Sequence, residues 1–217
     1  MNKGIILLSG GLDSYISLDI ASKKVDIKLA LTFDYGHKAF KEEAACAKKL
    51  SEKYNIKHKI IKLPFLKELT NNALTDEKNN NFADFNSVWV PNRNGLFINI
   101  AGSYCDKYDI EQIIMGINKE EASQFPDNSE EFIKGANAFL KYSTLKKPTL
   151  FAPCSKFDKI AIINYAIDNN LELNLIKSCY NSAEKTGKNF CGNCLSCQLI
   201  KNAIKKSKKP ELFEELF

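Results

Sequence analysis

Short apolar, β-branched runs recur along the chain and alternate with stretches of helical periodicity. The runs are Gly4–Leu8, Lys28–Phe33, Lys57–Leu63, Gln112–Ile117 and Pro148–Ala152. Between and after them, apolar residues return every three or four positions over Leu12–Lys23, Ala39–Tyr54, Asn94–Lys107, Ser129–Tyr142 and Lys156–Asp168, which predicts amphipathic helices. Strand and helix in turn predict an α/β protein with a doubly wound parallel sheet, Rossmann-like, with helices on both faces. In such sheets ligands bind beyond the carboxyl ends of the strands, so the segments that follow each strand are where chemistry is expected.

Two stretches break the alternation. Asn71–Ser87 is rich in Asn and Asp and reads as a long loop, either a functional flap or disordered. Ser178–Cys197 has little periodicity and carries a crowd of cysteines, followed by a short helix over Leu195–Lys205. With no repeat and no Pro/Gly/Ser-rich linker, the simplest division is a catalytic domain over 1–175 and a small metal-binding lobe over 176–217.

The 217 residues are 44% hydrophobic and 26% charged, the composition of a globular chain with a full core. The net charge of +5 would by itself suggest an anionic partner. Of the 31 basic residues, however, only Arg93 is an arginine, and Asn is also abundant. Lys and Asn share A/T-rich codons, so the charge reads as compositional bias and no direct nucleic-acid binding is expected. No apolar run approaches the ~18–20 residues of a membrane span. The opening Met1–Leu8 is too short for a secretory signal and reads as a first strand. Seven cysteines without a signal segment point to the reducing cytoplasm and to a metal site rather than a disulfide framework.

The first strand runs into Ser9-Gly10-Gly11-Leu12-Asp13-Ser14, which opens a helix. Paired glycines allow close approach of backbone to a ligand, and free N–H groups at a helix N-terminus attract anions. Ser9 and Ser14 add hydroxyl donors. Asp13 is the informative residue: a carboxylate beside a phosphate cradle repels its ligand unless a cation lies between them, which points to Mg²⁺. The ending of a Walker A loop is missing, which argues against γ-phosphoryl transfer in that style. A Gly-Gly turn with an Asp cap is the bland alternative. The hexapeptide as a whole resembles the pyrophosphate loop of the N-type ATP pyrophosphatases, which implies ATP held by Leu8, Ser9, Gly10, Gly11, Leu12, Asp13 and Ser14.

Cys179, Cys191, Cys194 and Cys197 are spaced C-x11-C-x2-C-x2-C. Two CxxC steps bring three thiolates to one ion, and four sulfurs close the tetrahedral shell of structural Zn²⁺. An iron–sulfur cluster or a redox pair is the alternative. Cys46, Cys105 and Cys154 lie outside the pattern and read as buried free thiols.

Taken together the motifs resemble the 7-cyano-7-deazaguanine synthase family, the nitrile-forming enzymes of the queuosine pathway, over most of the chain. The matching segments are Ser9–Ser14, Phe33-Asp34-Tyr35-Gly36, Val90-Pro91-Asn92-Arg93-Asn94, Pro126-Asp127, Ser178-Cys179-Tyr180 and Cys191–Cys197. Two segments depart from the family pattern: His37 stands where Gln is common, and Asn128-Ser129 replace a Cys-Arg after Pro-Asp.

The resemblance implies an ATP- and ammonia-consuming ligase acting on 7-carboxy-7-deazaguanine, an adenine-nucleotide-hydrolase-like fold and a homodimer. It further implies Arg93 and Lys159 as cations on phosphate or carboxylate, beside Asp13 in the catalytic set. Asp34 is expected near the adenosine, with Phe125 and Asp127 recognising the deazaguanine by stacking and by accepting its N–H groups. For each a plainer reading exists: a helix-start Arg, a solvated Lys, a turn-forming Asp, a core Phe. His37 reads as a proton shuttle or as a loop surface residue. Rival functions are another pyrophosphatase (a deazapurine paralogue, an amide-forming synthase or a tRNA-modifying enzyme) and, in a different class, a zinc-ribbon module using the lysine-rich tail on nucleic acid.

Overall fold

A computed structural model describes residues 1–217 apart from 71, 80, 83, 84, 184–189 and 213–215. The anticipated strands form: β1 (Lys3–Leu7), β2 (Asp26–Asp34), β3 (Lys57–Lys62), β4 (Gln112–Met115) and β5 (Thr149–Phe151). They make one parallel five-stranded sheet in the order β3-β2-β1-β4-β5. The main helices are α1 (Leu12–Ser22), α2 (Phe40–Lys53), α4 (Arg93–Tyr108), α6 (Glu130–Ser143), α7 (Lys159–Asp168) and α8 (Leu195–Lys205); two single turns, α3 (Phe65–Glu68) and α5 (Lys119–Ala122), were not anticipated. None of the described helices is long and apolar enough to cross a membrane.

Period-2 alternation assigns each strand residue to a face. Ile6 and Leu8 join a core with α1, α2, α7 and α8, while Ile5 and Leu7 join one with α4 and α6. The central strands are therefore apolar on both sides. β3 lies at an edge and is mostly exposed, and Lys57, Lys59 and Lys62 along it discourage pairing with another chain.

Helix starts fall where a side chain satisfies the first orphan N–H groups. Ser129 accepts from Phe132 N–H and Asp158 from Ala161 N–H, so α6 begins at Glu130 and α7 at Lys159, one and three residues later than periodicity alone suggests. The described part of the 71–87 segment is anchored: Asn72, Ala73, Leu74 and Thr75 are buried, and Asn72 Nδ2 donates to the Trp89 carbonyl at 2.7 Å. Positions 71, 80, 83 and 84 of that segment lie outside the described residues.

Strand order reverses between β1 and β4, so the connections leaving these two strands diverge and open a crevice. The Ser9–Ser14 loop follows β1 and Gly116 follows β4. A Cβ on Gly116 would lie 2.6 Å from both Ser14 N and Ser14 Cα, so only glycine lets the loop settle against β4.

Candidate active site

The cleft at the switch point is lined by Leu8, Ser9, Gly11, Leu12, Asp13 and Ser14 of the loop, and by Arg93, Phe125, Asp127 and Lys159. Ten of the positions singled out from sequence thus converge on one cavity. Gly10 and Asp34 are not among its lining residues. Gly10, at φ +85°, lets the loop turn where a Cβ would collide with the Glu43 carbonyl. Asp34 accepts from Gly36 N–H at 3.1 Å and shapes the turn after β2.

Helix α1 has no side-chain cap of its own, because its N-cap is Gly11. The cap comes from far along the chain: Ser178 Oγ accepts from Leu12 N–H at 2.9 Å, and Lys177 N–H donates to the Gly10 carbonyl at 2.9 Å. Ser9 Oγ and Ser14 Oγ are 3.1 Å apart at the cleft wall.

Lys159, at the first turn of α7, places Nζ 2.5 Å from Asp13 Oδ2 and 3.0 Å from Glu121 Oε1. Burial alone would lower the Lys159 pKa, but the two carboxylates outweigh it and hold the ammonium above its ordinary range. Burial raises the Asp13 carboxyl, against the pull of Lys159. Burial acts on Glu121 in the same sense, yet there Lys159 prevails and the carboxyl is lowered. Asn118 Nδ2 also donates to Asp13 Oδ2 at 3.3 Å. Asp13 Oδ1, by contrast, is buried with no partner among the described residues. An orphaned carboxylate oxygen at a phosphate-type loop fits the hard oxygen donor that Mg²⁺ requires.

Arg93 opens α4 and lines the cleft; its Nη1 donates to Tyr35 Oη at 3.3 Å. Burial works against its charge, but Tyr35 and Asp127 more than compensate, and the guanidinium stays firmly protonated. Asp127 is raised by burial, with Arg93 opposing. Phe125 stacks on Trp89 at 5.9 Å and 12° and meets Phe85 edge-on, so its ring belongs to an aromatic wall of the cleft. Of the two departures from the family pattern after Pro126-Asp127, Asn128 lines the cleft and donates to Asp127 Oδ1 at 3.2 Å, whereas Ser129 caps α6.

Glu121, Asn118, Lys177, Ser178 and Tyr35 were not anticipated as members of the site. Ser178 and Tyr35 fall within quoted motif segments, which was a usable signal. Glu121 and Lys177 looked like two more charges in a charged chain, and only the fold brings them here.

The sulfurs of Cys179, Cys191, Cys194 and Cys197 all lie within 4.8 Å of one another. Tetrahedral zinc with bonds of about 2.3 Å would set them about 3.8 Å apart, so the cluster fits a metal of that kind with little adjustment. All seven cysteines are free of disulfides. Cys105 and Cys154, outside the cluster, are buried, and burial pushes both thiols up to about 12, as expected of inert core thiols; Cys46 is only partly buried.

The sequence profile described as queuosine biosynthesis protein QueC matches residues 3–208. The 7-cyano-7-deazaguanine synthase of Pelotomaculum thermopropionicum is 42% identical over 217 residues, covering 94% of this chain and 96% of that protein. The chain belongs to the 7-cyano-7-deazaguanine synthase family. A second member, the 7-cyano-7-deazaguanine synthase of Methanosarcina barkeri, is 36% identical over 232 residues and covers 99% of each chain. Among solved structures, a 4-thiouridine synthetase–RNA complex with bound ATP matches with a TM-score of 0.54 at 19% identity, over 100% of this chain and 53% of that one. That likeness concerns the fold.

Proposed function

We propose that the chain converts 7-carboxy-7-deazaguanine, ATP and ammonia to 7-cyano-7-deazaguanine. The observation that carries this is the convergence, in one cleft of a member of this family, of a phosphate-type loop, the buried ammonium of Lys159, the half-buried guanidinium of Arg93 and an aromatic wall ending in a buried carboxylate. Forming a nitrile from an acid requires carboxylate oxygens to leave, and an oxygen leaves readily only once it carries a group such as AMP.

The loop N–H groups with Ser9 and Ser14 bind the nucleotide's phosphates, and Lys159 and Arg93 stabilise the charge that develops as pyrophosphate departs. Arg93 suits a planar two-oxygen group, phosphate or carboxylate, by its fork geometry. Phe125 stacks on the deazapurine while Asp127 accepts from its N–H groups. Attack of ammonia on the adenylated acid gives the amide, and a second adenylation, now at the amide oxygen, allows dehydration to the nitrile. Asp13 is the residue that would hold Mg²⁺, which supplies Lewis-acid charge to the phosphates when bound. The four-cysteine cluster would hold Zn²⁺ in a closed, structural shell.

Mass spectrometry tests the reading. Zinc-loaded protein given 7-carboxy-7-deazaguanine, ATP, Mg²⁺ and ammonium should yield the amide, the nitrile and AMP; the absence of all three overturns it. Asp13→Asn should lower the rate by about 10²–10³-fold, the scale for removing one preorganised electrostatic group. Because Asn128 lines the cleft, other 7-substituted deazapurines belong in the same assay. Turnover of one of those, with none of the acid, would reassign the substrate within the class.

A further inference from the structure

His37 lies in the turn after β2 and is held more firmly than a loop histidine needs to be. Its ring stacks on Tyr35 at 4.1 Å and 18°, meets Phe40 edge-on at 5.7 Å, and engages Glu43 Oε2 through Nε2 at 2.9 Å. The side chain is 5% exposed, yet it lines the cleft. Its remaining polar atom, Nδ1, is buried and has no hydrogen-bond partner among the described residues. A buried polar atom without a partner is a cost, and one on the wall of a ligand cleft is most simply explained by a ligand that completes it.

The chemistry of the missing partner follows from Glu43. A carboxylate accepts, so in the neutral imidazole that pairs with Glu43 the hydrogen sits on Nε2 and Nδ1 is left as an acceptor. The missing group is therefore an N–H or O–H donor. Its place in the cleft follows from topology. The phosphate loop follows the central strand β1, with the β4 side carrying Phe125 and Asp127 and the β2 side carrying His37. If the deazapurine occupies the β4 side, the nucleotide's base is left with the β2 side.

We infer that His37 Nδ1 accepts a hydrogen bond from the exocyclic amine of the adenine ring, making His37 the residue by which this cleft selects an amino-purine nucleotide over an oxo-purine one. This rests on the ATP-consuming reading above. A C6 carbonyl in place of the amine would set acceptor against acceptor. Asp34, expected beside the adenosine, contributes through the turn that delivers His37.

Calorimetric binding of Mg·ATP and Mg·ITP, which differ at C6 (amine against carbonyl) and at the adjoining N1 (acceptor against N–H), tests the inference without turnover. The wild-type chain should prefer ATP by about tenfold or more, the scale of one matched hydrogen bond against one left unpaired. His37→Leu should bring the ratio near one by weakening ATP alone, and His37→Gln, whose carboxamide can turn its oxygen to the amine or its NH2 to the carbonyl, should keep ATP binding while losing most of the preference. An unchanged ratio in folded His37→Leu overturns the inference. So does equal weakening of both nucleotides, which would mark a phosphate contact. Failure of the wild-type chain to bind ATP overturns the nucleotide reading itself, and is seen before any variant is made.

Discussion

Lys159 carries the most concentrated electrostatics in the molecule, because one buried ammonium serves two carboxylates from different segments. Such an arrangement adds little net stability while intact, but it is costly to break from one side. Lys159→Met should therefore lower stability by about 2–4 kcal/mol in urea unfolding, since the half-buried Asp13 and Glu121 would be left without their counter-charge. Adding Asp13→Asn to that variant should restore part of the loss by removing one orphaned charge. A cost that simply adds in the double variant would show that Lys159 acts through packing alone. At this scale the sequence was informative wherever a residue's chemistry was unusual for its surroundings. Asp13 stood out as a carboxylate in an anion site, and Arg93 as one guanidinium among lysines. Glu121 and Lys177 had no such contrast, being ordinary charges whose meaning comes from burial.

Besides its apolar packing, helix α1 is tied to two neighbours by hydrogen bonds to one side chain. Asp19 accepts from Tyr54 Oη at 2.8 Å beside α2, from Tyr165 Oη at 2.7 Å on α7, and pairs at 2.8 Å with Lys23, the C-cap of α1. Burial alone would raise the Asp19 carboxyl; the hydrogen bonds from Lys23, Tyr165 and Tyr54 outweigh it and hold the group below its ordinary 3.8. A depressed folded-state pKa means the stabilisation is complete above the unfolded value and disappears as pH falls through the folded one. Asp19→Asn should thus cost about 1.5–3 kcal/mol at pH 7, the range for hydrogen bonds to a charged group. It should also flatten the loss of stability between about pH 5 and pH 2. Parallel acid limbs for the two proteins would exclude this role. Elements were legible from sequence in proportion to their length and amphipathicity. The β1 and β2 runs and the periodic helices declare themselves, whereas α3 and α5 are single turns formed by tertiary context. Ser178 capping α1 from 166 positions away could not be read from local pattern at all.

The whole molecule is joined at the four-cysteine cluster. Cys179, Cys194, Cys197, Phe190 and Ile200 share one apolar core with Ile6, Leu8, Leu12 and Ile16, so residues on both sides of a boundary at 175/176 bury the same surface. The residues just before the cluster, Lys177 and Ser178, are the ones that hydrogen-bond to the Ser9–Ser14 loop. Losing the zinc proposed for this cluster should therefore act twice. Cys194→Ser, or chelation of the wild-type chain, should lower Tm by about 10 °C or more, at 2–4 °C per kcal/mol for a chain of this size. The melt should remain a single transition, because the shared core leaves no α/β body that stays folded on its own. Below that transition ATP should already bind more weakly, since Ser178 no longer sits firmly on Leu12 N–H. Metal analysis of the purified chain should find one zinc, and its replacement by iron would reassign the cluster. Two separated transitions, with nucleotide binding intact after the first, would instead make 176–217 an independent lobe and leave the phosphate loop to the α/β body alone.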